Sequence, residues 1–107
     1  MTDITFTDFF NEEFPGWRTD PIAEINQKLL EMGEIYYYLP HLDTIDKAIL
    51  QFSESNSYQQ LAGEGFENVV EWCQRECGVK LDHPNDRLIY FSDDPNTFYP
   101  VEIIFLI

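Results

Sequence analysis

The sequence predicts an α+β fold in which about four helices pack on a small, mostly antiparallel sheet that ends in a C-terminal β-hairpin. Three observations carry that prediction. The run Arg87-Leu88-Ile89-Tyr90-Phe91, the polar cluster Ser92 to Thr97 and the run Phe98 to Ile107 form the strongest strand-turn-strand signal in the chain. Upstream, apolar residues recur at three- and four-residue intervals, which is the period of a helix. Helices first and a tight hairpin last exclude a βαβ arrangement, because parallel strands need a long crossover. The chain closes on five successive apolar residues from Ile103 to Ile107. Both faces of that strand are therefore expected to be covered, by the helices at 21–32, 44–53 and 65–77.

Taken in order, Phe6, Phe9, Phe10 and Phe14 share one helical face, with Thr7 or Asp8 as cap and Pro15-Gly16 as stop. Trp17 is expected to fold back onto the core. Asp20 before Pro21 opens a second helix; Ile22, Ile25, Leu29 and Met32 form its inner face and Gly33 ends it. Ile35-Tyr36-Tyr37-Tyr38 reads as a short strand by propensity, and Pro40 ends it. Three successive tyrosines cannot share one core, so at least one belongs at the surface. Asp43 is read as the cap of a third helix over 44–53, with Ile45, Ile49 and Phe52 inward and Leu42 as a staple. A polar break at 53–57 and a short helical turn at 58–62 follow. The fourth helix runs from about Glu64 to Cys77, with Phe66, Val69, Val70, Cys73 and Cys77 inward and Gly78 as stop. Asp82 to Asp86 is a turn by composition. A chain of 107 residues reads as one domain over 1–107.

Twenty acidic residues against six basic ones give a formal net charge of −14, more than a small domain needs for solubility. Such a surface repels nucleic acid and anionic membranes and attracts a basic protein. The N-terminus, Met1 to Phe6, lacks the basic start and apolar run of a secretory leader. No segment approaches the ~20 apolar residues of a membrane span. Cys73 and Cys77 are four apart, a spacing that on a helix holds Cβ atoms roughly 6 Å from each other, too far for a disulfide. They are read as reduced thiols, and the compartment as the cytoplasm.

Cys73, Cys77, His41 and His83 are the only soft or imidazole ligands, and the cysteine pair falls on a core-facing seam. Neither a metal nor a cofactor is expected. No Gly-x-Ser-x-Gly, Walker or dinucleotide pattern is present, and no enzyme is expected. What remains is an acidic surface with aromatic residues among the charges. Asp43 and Asp46 lie beside Tyr36, Tyr37 and Tyr38; Glu64, Glu67 and Glu71 form a stripe flanked by Trp72; Asp93 and Asp94 occupy the hairpin tip beside Phe98 and Tyr99. Each stripe taken alone also reads as a solvated face. Together they can complete the charge of a basic groove, with aromatic anchors where water is excluded.

Small size, unpaired cysteines, high negative charge, exposed aromatics and the lack of a catalytic motif give a chain that resembles bacterial immunity proteins. These are cytosolic inhibitors that neutralise a cognate toxin domain. The resemblance extends to the immunity proteins of contact-dependent growth inhibition systems, whose toxins are frequently nucleases with basic substrate grooves. It covers the character of the whole chain and no motif, so no functional residue is carried over. It implies a cytoplasmic, antitoxin-like protein that covers the substrate groove or a nearby exosite of its partner. Two other uses of the surface stay open: a phage-type nucleic-acid mimic acting on a restriction or CRISPR effector, and an acidic adaptor that binds without inhibiting. A hydrophobic edge on the last strand could also pair with a partner strand or another copy of the chain.

Overall fold

The computed structural model describes residues 4–61 and 67–107. Within them the chain is α+β, with three helices and two antiparallel sheets. Strand β1 (Ile4–Thr5) leads directly into helix α1 (Phe6–Glu13). The cap is Thr5, whose hydroxyl oxygen accepts the Asp8 N–H at 3.2 Å, rather than Thr7 or Asp8. Pairing of β1 holds Thr5 extended one residue before the first turn, which places the cap earlier than side-chain spacing suggests. Phe6 and Phe10 are fully buried, and Phe10 meets both Trp17 and Phe52, at 5.8 and 4.8 Å between ring centroids. Trp17 folds back as expected, its Nε1–H donating to Asn11 Oδ1 at 2.9 Å. Arg87 donates to the Trp17 and Asp20 carbonyls and so pins that loop from the far end of the chain.

Helix α2 (Ile22–Met32) buries Ile25 and Leu29, but Met32 stays exposed. Asp20 does not cap it; its carboxylate fills the space a side chain at Gly16 would need. Gly33, at φ +81°, ends the helix as its position implies.

The tyrosine run forms strand β2 (Ile35–Leu39). The next segment corrects the sequence reading: 44–53 is not a helix but strands β3 (Thr44–Ala48) and β4 (Leu50–Phe52). Asp43 therefore caps nothing; at φ +48° it turns the chain from β2 into β3, and Leu42 is exposed. The spacing of Ile45, Ile49 and Phe52 fits a helix, yet Ala48, Leu50 and Phe52 are the residues buried, in strict alternation. Five consecutive pairs with β2, from Ile35↔Ala48 to Leu39↔Thr44, override the local pattern. At Ile49 the chain leaves the first sheet and enters the second. Helix α2 lies along β4, where the Asn26 amide donates to the Phe52 carbonyl at 3.2 Å and accepts the Phe52 N–H at 2.6 Å. That side chain closes an edge which would otherwise be open for pairing.

The last helix is shorter than expected. Asn68 and Glu71 form a capping box that starts α3 at Val69, so Glu67 precedes the helix. Helix α3 (Val69–Trp72) continues as one π-helical turn, Cys73–Cys77, stopped by Gly78 at φ +64°. Glu64 and Phe66, also assigned to this helix, lie outside the described residues. With 44–53 extended, three helices stand where about four were expected.

The hairpin is present but tighter than the sequence implies. Strand β5 (Ile89–Phe91) turns through Ser92 and Asp93 alone into β6 (Asp94–Tyr99). Pro95 is tolerated because β6 is an edge strand. Pro100 ends β6, a 3-10 turn covers Val101–Ile103, and only Phe105–Leu106 form the last strand, β7. The sheet orders are β1-β7-β2-β3 and β4-β5-β6. The last strand is thus flanked on both sides and is no edge, because Ile4 and Thr5 pair with it. Ile107 is 56% exposed, as are Tyr36 and Ile45 to similar degrees, so the helices do not cover both faces of that sheet. Among the described residues no helix is long and apolar enough to cross a membrane.

Candidate functional site

The two sheets meet at a ring stack. Tyr37 of β2 lies on Phe91 of β5 with centroids 4.2 Å apart and planes within 10°. Directly across the first sheet from Tyr37 is Asp46 of β3, and directly across the second from Phe91 is Asp94 of β6. Clamping the rings together therefore brings Asp46 and Asp94 to one rim, and Asp93 in the β5–β6 turn joins them. The phenol of Tyr37 registers this convergence: burial, then the carboxylate of Asp46, then those of Asp93 and Asp94 with the Tyr99 phenol between them, push it up to about 12. Three acids from two sheets thus act on a single hydroxyl whose ring is 6% exposed. Among the described residues the ion pairs are Arg18–Asp86, Arg75–Glu67 and Arg75–Glu76, so none of the three rim acids is matched by a cation.

Comparison with family models, with curated proteins and with solved structures found no match. Asp46, Asp93 and Asp94 are exposed, while the aromatic floor below them is not. The floor continues from Phe91 to Tyr99 at 5.4 Å, then to Trp72 at 6.4 Å and, edge-on, to His41 at 5.3 Å. Burial and then the Asp94 carboxylate raise the Tyr99 phenol as well. Rigid negative charge above a packed aromatic base can attract a cationic surface without reorganising.

The remaining expected residues divide among other surroundings. Of the three tyrosines, Tyr37 points inward, Tyr38 is half-buried and Tyr36 lies outward at 55% exposure, with the Lys47 ammonium 5.9 Å from its ring. The Tyr38 hydroxyl donates to Asp43 Oδ1 at 2.8 Å, bracing the β2–β3 turn. Asp43 and Asp46, expected on a helix, sit on that turn and on β3. Glu67 accepts Arg75 in a two-pronged pair at 2.7 and 2.9 Å, which holds its carboxyl below the usual range. Glu71 closes the capping box. The expected stripe is therefore engaged in internal contacts at Glu67 and Glu71, and Glu64 lies outside the described residues. Trp72 and Tyr99 belong to the floor rather than to an exposed contact face.

Phe91 and His41 were not legible as site residues. For Phe91 a signal existed, since Ile89 and Phe91 alternate inward along β5. His41 has none beyond its neighbour Pro40. Burial pushes the Cys73 thiol up to about 12 and raises the Cys77 thiol as well. Both are free, and raised thiols are poor nucleophiles. Among the described residues no three His, Cys, Asp or Glu side chains gather as metal ligands.

Proposed function

We propose that this chain is an acidic inhibitor which binds and neutralises a basic toxin domain, a nuclease by the charge its groove must carry, with the rim of Asp46, Asp93 and Asp94 as its contact face. The observation that carries the proposal is the convergence on the rim above Tyr37 of three carboxylates from two sheets, none of them ion-paired among the described residues. Holding like charges together costs stability, and a partner that supplies lysines and arginines recovers that cost on binding. The formal charge of −14 steers the same encounter from a distance. On this reading the protein acts in the cytoplasm, as an immunity protein of the contact-dependent growth inhibition type.

The test is co-purification with the product of the neighbouring open reading frame, followed by cell protection. A basic toxin domain that is captured and silenced by the wild type, but not by a chain carrying Asp46→Lys, Asp93→Lys and Asp94→Lys, supports the proposal. Protection by the triple variant sinks it. Capture of a restriction or CRISPR effector instead would assign the surface to nucleic-acid mimicry.

A further inference from the structure

A cavity of about 370 Å³ opens beyond the far end of the aromatic floor, within the size range that encloses a small molecule or one long side chain. Its apolar walls are Pro40, Val79, Ile103 and Phe105, and its polar groups include His41 and Glu102. The carboxylate of Glu102 does not swing freely. One oxygen accepts the Asp82 N–H at 2.7 Å and the other the His83 N–H at 2.9 Å. Each oxygen keeps a second acceptor site, so the group is a fixed anion with capacity left over. His41 closes another side, its ring edge-on to Trp72. Burial lowers its pKa and outweighs the pull of Glu76, so at neutral pH the imidazole adds no positive charge.

Long apolar walls leading to a pinned carboxylate match one kind of side chain, an aliphatic stem with a delocalised cationic head. We infer that this cavity receives an arginine side chain of the basic partner, its stem along Val79, Ile103 and Phe105 and its guanidinium on Glu102. The inference rests on the proposed reading that the partner is basic. The chain cannot supply the arginine itself, because all three of its own are engaged: Arg18 with Asp86, Arg75 with Glu67 and Glu76, and Arg87 with the Trp17 and Asp20 carbonyls. A second copy of the chain offers the same three, and brings its own charge of −14. An arginine occupant is therefore one that the partner brings.

The experiment titrates the isotope-labelled protein with N-acetylarginine amide and, separately, with N-acetylnorleucine amide, following the Trp72 indole, the His41 ring and Phe105 by NMR. Saturable shifts at these three residues, about tenfold weaker with the norleucine compound, are expected. Glu102→Gln should weaken the arginine compound by roughly the same factor while its amide oxygen still accepts a backbone N–H. Val79→Trp, at a position 39% exposed, should abolish binding by filling the cavity with Glu102 intact. Equal response to the two compounds, no response to arginine, or unchanged binding in either variant overturns the inference. None of those outcomes touches the rim proposal, whose failure would appear with the toxin domain and the rim variants.

Discussion

If Asp46, Asp93 and Asp94 are crowded together for a partner's benefit, neutralising them should make the free protein more stable. The perturbation is the triple variant Asp46→Asn, Asp93→Asn, Asp94→Asn. Asparagine at 46 keeps an oxygen for the Lys47 N–H, which Asp46 accepts at 2.8 Å, and it suits the exposed turn at 93. Interactions between exposed charges are each worth about 0.5 kcal/mol, so three like-charge pairs total about 1.5 kcal/mol at low ionic strength. With unfolding entropy near 2.1 cal/mol/K per residue over 107 residues, that corresponds to a rise in Tm of about 6–7 °C. Differential scanning calorimetry at low ionic strength measures it directly. In ~1 M salt, where the screening length is about 3 Å, most of the gain should vanish. A variant that melts at or below the wild-type temperature in low salt would refute the convergence argument.

Other consequences follow from the same structure. Phe91→Ala should cost about 3–5 kcal/mol in urea unfolding by emptying the contact between the sheets, whereas Tyr37→Phe should keep the stack and cost less than about 1.5 kcal/mol. Similar losses in the two variants would mean that the hydroxyl, not the ring stack, joins the sheets. Asn68→Ala removes the capping-box acceptor for the Glu71 N–H at 2.9 Å and should cost about 1 kcal/mol; an unchanged melting curve would show that α3 starts without it. His41 is packed against Trp72 and Tyr99 with its pKa below the ordinary value of about 6.5. The unfolded chain then binds that proton more readily, so the contribution of neutral His41 is fully present above about pH 6.5 and declines as the pH falls toward the folded value. Compared with His41→Gln, the wild type should lose relative stability over that window; parallel curves would contradict the assignment.

Much of the fold was legible because its signals are local. The helical spacing of Phe6, Phe10 and Phe14, and of Ile25 and Leu29, needs no distant partner to be read. The 44–53 segment was misread because two periods coexist in it. Ile45, Ile49 and Phe52 satisfy the helix, Ala48, Leu50 and Phe52 satisfy the strand, and the choice is made by β2 and β5, which the segment cannot report on. Pro100 likewise gave a visible sign that the last run is not one strand, since a proline cannot donate to a ladder. The site was legible in composition and not in arrangement. Asp46, Asp93 and Asp94 could be named as acids among aromatics, but their meeting depends on the Tyr37–Phe91 stack between sheets, a contact across 54 positions of sequence with no local trace. The surroundings of Glu67 and Glu71 were hidden for the converse reason: helical spacing predicts a shared face, yet Arg75 and the Asn68 N–H, both within eight residues, donate to the two carboxylates.

If the proposed toxin partner is captured, the most direct test is its association rate with the chain, measured by stopped flow across ionic strength. Steering by the acidic face predicts a wild-type rate that falls roughly tenfold or more with added salt, and a rate for the Asp46, Asp93 and Asp94 to Asn variant that starts roughly tenfold lower and depends less on salt. Equal rates and equal salt dependence for the two proteins would contradict the account.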